Sequence, residues 1–408
     1  MDIDELSHGA QRPAGPSFRA RRLLPLVLAT MTSQALLVVL APTIVEVGRD
    51  LGASVGAVGL ARSTLAGAAI VSSLALAPFL DRVGIRPLLL WGAVLAVGGS
   101  AAAALSPSLV VFLSVHVLIG VGFAFLLSAG FAGVAAFDAE DRAWAMGYVV
   151  GANALAWIVV NPLAGMLTDV LSWRAAHAVP AAIALCVLAS ARVAPGGSAT
   201  RVPGLGLRGV LAEPSARRWI LAEMIAYFAW GTHLTFTGAY FIERYGIGES
   251  VAGILLALGA AVFFVTSVRG ASLVGHLPRP RLIAAAALIL GTLIALQFNS
   301  HAVVWIALAA FFLSAVAGGV RTTVSSTLGL AQLPNQPGSM MSARTATVQM
   351  GYLLGGLVGG ATLAWSGYAA LGIIIAGGLV LCAALVLRVN DPLAREVAET
   401  AVGGKGRQ

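Results

Sequence analysis

The chain has little charge. Asp, Glu, Lys and Arg make up 10% of its 408 residues, against 59% hydrophobic residues and a mean hydropathy of +0.91. Water cannot solvate that balance in a chain this long, which excludes an ordinary soluble domain. Lysine is almost missing, Lys405 standing alone among the bases. Cysteine is nearly as scarce: Cys186 and Cys382 both fall in apolar stretches, so a disulfide framework is excluded and two small buried thiols are expected. Catalytic signatures are missing too. The sequence holds no His-Glu-x-x-His, no Gly-x-Ser-x-Gly, no Walker phosphate loop and no Asp-rich cluster, so metal-assisted hydrolysis, serine hydrolysis and direct use of ATP lack their chemistry. No cofactor and no metal are expected, and the chain does not read as an enzyme. A secretory leader is not read either, because Asp2, Asp4 and Glu5 precede an apolar run of full membrane length.

What is present in abundance is apolar sequence in long runs. A helix needs roughly 20 such residues to cross a ~30 Å hydrocarbon layer with every backbone group satisfied within the segment. Twelve stretches qualify: 23–47, 55–80, 87–105, 109–137, 144–168, 174–192, 219–242, 251–274, 282–298, 302–330, 344–364 and 369–388. The expected fold class is an all-α membrane protein of 12 transmembrane helices in two six-helix halves, 23–192 and 219–388, related as parallel repeats around a central cavity. Residues 1–22 and 389–408 read as tails. Residues 193–218, with Pro195, Gly196, Gly197, Pro203, Gly204 and Gly206 among Arg201, Arg208, Arg217 and Arg218, read as a linker.

The bases give an orientation. Of the 25 Lys and Arg, Arg49, Arg174 and Arg244 fall in one set of loops, Arg62, Arg269 and Arg321 within stretches, and the other 19 in the tails, the linker and the opposite loops. Bases accumulate on the cytoplasmic side, so both termini are expected there. The formal charge of +8 is spread over many short loops, which argues against nucleic acid and for the anionic inner leaflet as its partner. The alanine, glycine and arginine bias suits a bacterial inner membrane. A chain working as a monomer is expected.

Between the second and third stretches lies a charged turn, Asp81, Arg82, Val83, Gly84, Ile85, Arg86 and Pro87. Residues 77–88 resemble the corresponding loop of the major facilitator superfamily, Gly-x-Leu-Ala-Asp-Arg-x-Gly-Arg-Lys. Asp81, Arg82, Gly84 and Arg86 match, whereas Ala77, Phe79 and Ile85 depart. The resemblance implies that the loop acid and base latch the cytoplasmic ends of the two halves; a solvated hairpin that fixes topology is the plainer reading. The second-half counterpart, Ala271 to His276, has no acid. The fifth stretch resembles the drug:proton antiporter branch, whose pattern there is Gly-x-x-x-Gly-Pro-x-x-Gly-Gly. Pro162 and Gly165 match; Trp157, Asn161 and Met166 depart. A bend that gates exchange and simple close packing are both open. On the fourth stretch that family places Arg-x-x-Gln-Gly, where this chain has His116, Val117, Leu118, Ile119 and Gly120. A guanidinium role does not transfer to an imidazole, so His116 is either a replacement proton site or a structural histidine.

Ionisable groups inside the bilayer cost roughly 2.5–3.5 kcal/mol or more at its centre and face the bundle interior when they occur. Glu223, His233, Arg62 and Arg321 join His116 as candidate proton or charge sites. For Glu223, snorkelling to the interface is the alternative. For Arg62 and Arg321, the choice is between attracting an anionic substrate and pairing with Glu46, Asp169 or Glu223. Tyr227, Trp230 and His233 recur at helical spacing, and with Gln34, Gln349 and Tyr352 they form a candidate cavity for an amphipathic solute; interhelical hydrogen bonding explains them equally well. The first stretch carries no central acid, so a neutral, amphipathic or weakly anionic substrate is expected over a cationic drug. The leading expectation is proton-coupled export of a small organic compound by alternating access. The runner-up is proton-coupled uptake of a sugar, nucleoside or organic acid, and a non-transporting receptor is a third reading.

Overall fold

In the computed structural model, residues 16–76, 84–138, 140–196, 206–270, 278–300 and 303–392 are described. Among them the secondary structure is helical, with no strand. The helices are α1 (Pro16–Val38), α2 (Leu40–Asp50), α3 (Val55–Leu76), α4 (Ile85–Ala104), α5 (Leu109–Ala132), α6 (Arg142–Val170) and α7 (Trp173–Ala176). They continue with α8 (Ala178–Ser190), α9 (Gly206–Ala212), α10 (Pro214–Tyr245), α11 (Glu249–Gly270), α12 (Arg279–Asn299), α13 (Val304–Gln332) and α14 (Pro337–Val386).

Among the described residues, nine helical segments are long and apolar enough to cross a membrane, or ten when α1 and α2, bent by 40°, count as one span. Over the described residues, each expected stretch falls on one helix or on two successive ones. The stretch at 219–242 falls in α10, which also carries Glu223 and is not among the nine. Those at 344–364 and 369–388 fall on either side of Gly367, whose φ of 74° and ψ of −175° break α14 into two arms; only glycine adopts that conformation at low cost. Local chemistry sets the ends. The Ser108 side chain accepts from the Val111 amide to cap α5, left-handed Gly246 closes α10, and prolines open α10, α12 and α14, where a missing N–H costs nothing.

Large apolar side chains face outward. Trp91, Leu105, Val110, Trp305, Trp365 and Ile373 are each more than 60% exposed, a surface that suits lipid and not water. Inside, α1 packs on α5, α6 and α8, and α4 on α5 and α8; α12 packs on α13 and α14, α10 on α14, and α11 on α13. These two groups meet where α3 runs along α14, α6 along α11, and α2 along α10.

The helix ends gather at two levels. At one, here the loop end, Asp50 pairs with Arg174 and accepts from Trp173 Nε1 at 3.0 Å, and Tyr245 donates to the Ser300 carbonyl. At the other, the terminal end, Arg19 pairs with Asp141 at 2.7 Å and Arg279 with Asp391 at 2.9 Å.

Candidate functional site

The two groups touch most closely toward the loop end, and glycine makes the approach possible. A Cβ on Gly56 would lie 2.4 Å from the Gly360 carbonyl oxygen; one on Gly165 would lie 2.3 Å from that of Glu249, and one on Gly253 2.4 Å from that of Asn161. Backbone therefore rests on backbone, α3 against α14 and α6 against α11. Polar contacts reinforce the seam: Ser63 Oγ donates to the Leu353 carbonyl at 2.7 Å, and Ser250 Oγ to Asp169 at 2.7 Å. Toward the terminal end the same helices carry exposed residues, Val71 and Leu74 on α3, Tyr148 on α6 and Val268 on α11. Gly147 and Gly151 of α6 meet open space there.

Just below the seam a polar and aromatic cluster joins both groups. Arg62 of α3 is 1% exposed. Its guanidinium lies 5.8 Å from the Trp157 ring of α6 and 5.0 Å from the Tyr352 ring of α14, within cation–π range. Trp157 Nε1 donates to Gln34 Oε1 of α1 at 3.3 Å. Tyr352 meets Tyr227 of α10 edge to face at 6.0 Å, and the Tyr227 hydroxyl accepts from Arg344 Nη2 at 2.9 Å. Arg344 Nε reaches Glu223 Oε2 at 3.3 Å, Ser325 Oγ donates to Glu223 Oε1 at 2.9 Å, and Arg321 pairs with the same oxygen. Cluster members thus run by direct contact from Gln34 to Arg321.

This geometry brings together Gln34, Arg62, Tyr227, Tyr352, Glu223 and Arg321 from the sequence-derived candidates. Glu223 does not snorkel. It is fully buried, the one buried acid among the described residues, and it is Arg321's partner from the three carboxylates considered. Arg62 has no such partner: none of its three guanidinium nitrogens finds a hydrogen-bond acceptor among the described residues. Gln349, one turn before Tyr352 on α14, is 7% exposed, and its Nε2 also lacks an acceptor. Arg344 was missed from sequence because it stands at the edge of its apolar stretch, where a base reads as an interfacial anchor, and at five and eight residues from Gln349 and Tyr352 no one-turn spacing pointed to it.

The two histidines lie apart from the cluster. His116 Nδ1 is 2.7 Å from the Phe112 carbonyl of its own helix, and the ring packs 4.4 Å from Phe112. His233 Nε2 is 2.8 Å from Gln297 Oε1 on α12, and its ring packs against Phe298, Phe311 and Trp230. The half-buried Trp230 in turn stacks on Phe263 of α11. Each imidazole is buried inside its own helix group and has one hydrogen bond to a neighbouring carbonyl oxygen, while His233 Nδ1 has no partner among the described residues. Asp81 and Arg82 lie outside the described residues. Gly84 has φ 25° at the start of α4, and the Arg86 guanidinium donates twice to the Ala194 carbonyl, at 3.2 and 3.1 Å, tying α4 to the end of its own helix group. Pro162 and Gly165 stand on the α6–α11 seam. Among the described residues no group of three His, Cys, Asp or Glu is placed to hold a metal.

An all-helical membrane bundle of two helix groups with a buried charged cluster between them is the architecture of a solute transporter. The sequence profile of the Major Facilitator Superfamily matches residues 26–330 and, a second time, 219–406, and the chain belongs to that family. It is a transporter, not an enzyme. Among solved structures, a D-xylose-proton symporter superposes with a TM-score of 0.74, covering 91% of this chain and 98% of its own, at 15% identity. A bacterial homologue of the human lysosomal transporter Spinster, inward-facing and occupied, gives 0.70 over 91% and 95%, at 16% identity. At such identities the likeness is one of fold. A curated relative, the transcription regulatory protein OpdE of Pseudomonas aeruginosa, is 29% identical over 235 residues, 54% of this chain and 57% of the relative. That match spans little more than half of the relative's length.

Proposed function

We propose that this protein is a secondary active transporter that exports a small organic compound in exchange for protons, by rocking of its halves 23–192 and 219–388 about a central site. The carrying observation is the placement of Pro162 and Gly165, the residues that match the antiporter pattern, on a backbone-to-backbone seam with α11 at the loop end. Pro162 removes one backbone hydrogen bond inside α6, and with glycine resting against the opposite group this is the proposed hinge for opening that end. Base counting places the termini in the cytoplasm, so the state described is closed outside and opens inward, and the Asp81 loop is the latch that would hold the inner ends in the opposite state. The twelve-span count, the bacterial inner membrane and the monomer belong to this proposal.

Glu223 is the proposed proton carrier. Two arginines and Ser325 hold its carboxylate, and protonation removes the charge that binds α10 to α13 and α14. The experiment is compound sensitivity in a bacterial host stripped of its own exporters. Expression is expected to raise resistance to some organic compounds, and a protonophore, Glu223→Gln or Asp81→Asn is expected to abolish that gain. Raised accumulation would favour the uptake reading. A non-transporting regulator is the reading favoured by the description of the Pseudomonas aeruginosa relative. It predicts no change for any compound.

A further inference from the structure

Among the described residues, Arg62 is a cation without a counter-charge at membrane depth. It is 1% exposed, its Nε, Nη1 and Nη2 all lack acceptors, and its contacts are the faces of Trp157 and Tyr352. A folded chain tolerates such an arrangement poorly. Buried charges are otherwise paired, and a guanidinium over aromatic faces still has its in-plane N–H donors unsatisfied. The same chain shows the charge-paired alternative nearby, where Arg321 and Arg344 share Glu223. Arg62 differs from them in having no carboxylate of the protein to meet among the described residues.

We infer that Arg62 is the anchor of the substrate site and that the substrate is a small organic anion, an aromatic or otherwise flat carboxylate. This deepens the transport reading above and rests on it. A carboxylate meets the in-plane edge of a guanidinium through two parallel charge-assisted hydrogen bonds. The orphaned Nε2 of Gln349, buried one turn before Tyr352, is a third donor on the same helix. Trp157 and Tyr352 are half-buried and offer ring faces to the body of a flat ligand, and Gln34 fixes the indole through its hydrogen bond. The position suits coupling. Trp157 belongs to α6 and Tyr352 to α14, so a ligand held on Arg62 touches both helix groups directly below the Ser63–Leu353 contact that closes them. The same ring of Tyr352 leads through Tyr227 to Arg344 and Glu223, which links the anion site to the proton carrier by direct contacts.

The test is thermal unfolding of the purified full chain in detergent with benzoate, phenylacetate and indole-3-acetate, each beside its uncharged amide. The acids are expected to raise the melting midpoint in a dose-dependent way, with amides at least about tenfold weaker. Arg62→Gln is expected to lose the response to acids while its ligand-free midpoint stays at or above that of the parent, because a buried unpaired charge has been removed. Arg62→Lys, which keeps the charge without the fork, is expected to fall between and serves where the glutamine variant does not fold. Amides binding as tightly as acids, or acids still binding to Arg62→Gln, would overturn the inference. Absence of any response to the acids, in a chain that confers proton-dependent resistance to neutral compounds, overturns the anion site and leaves transport standing. Arg62-dependent binding without transport of any compound overturns the transport reading instead.

Discussion

At Glu223 one carboxylate serves two guanidiniums, and the cluster it forms therefore carries net positive charge while buried between α10, α13 and α14. Its stability depends on the acid more than on either base. Removing one member of a buried pair leaves the other uncompensated, at a cost of about 3–5 kcal/mol, whereas removing charge from both sides is often near neutral. Arg321→Met is accordingly expected to lower the melting midpoint of the purified protein, by less than the full penalty because Arg344 still reaches Glu223. Adding Glu223→Gln to Arg321→Met is expected not to restore it, since Arg344 then loses its carboxylate. Glu223→Gln with both Arg321→Met and Arg344→Met is expected to recover most of the loss, and a triple variant less stable than Arg321→Met would contradict the ion cluster as the source of the effect. Arg344 was missed at the edge of its stretch, while Glu223 and Arg321 were legible in the sequence as ionisable residues inside apolar stretches. Their grouping was not, because the partners lie about a hundred residues apart on three helices, and whether a buried charge is paired or alone depends on helix rotation. The histidines show the converse: residue type alone suggested a proton site, and each buried ring has one hydrogen bond, to the Gln297 amide oxygen and the Phe112 carbonyl respectively, while His233 Nδ1 stays without a partner among the described residues.

Helices α6 and α11 show what a motif can and cannot say at the scale of an element. In the sequence Pro162 and Gly165 left a bend and close packing of α6 both open, and the close approach is what the helices show, since hydropathy locates a span and glycine marks where another backbone comes near. The partner was invisible. Gly253 on α11 stands against Asn161, and nothing in either local sequence names the other. Gly165→Ala is expected to push α6 off α11, because the added carbon would meet a carbonyl oxygen at 2.3 Å that no side-chain rotation relieves. Transport activity should fall severalfold or more, while Gly147→Ala, facing open space on the same helix, should leave it unchanged. Equal activity in the two variants, measured at matched expression, would remove the seam from the mechanism. Spans were the most legible feature of all, because the bilayer demands about 20 apolar residues in any sequence. The kink at Gly367 was less so, as it depends on a single residue's backbone conformation.

At the scale of the whole molecule, close packing at the loop end and exposed faces at the terminal end fit one of the two states of the proposed alternating access. If Glu223 carries the proton, pH shifts the balance between them without any substrate: a protonated carboxyl no longer holds Arg321 and Arg344, and the seam and the cluster change together. The most direct test is pulsed electron–electron distance measurement in liposomes, with the native thiols replaced by Cys186→Ser and Cys382→Ala. One pair of spin labels spans the loop end, at Leu171 and Val251, and a second spans the terminal end, at Tyr148 and Val268. The account predicts two distance populations at each end, changing reciprocally as pH is lowered, with the loop-end pair lengthening while the terminal-end pair shortens, and no pH response in Glu223→Gln. A single distance at each end that ignores pH, or both ends moving in the same sense, would contradict rocking of two halves about the Arg62–Glu223 cluster.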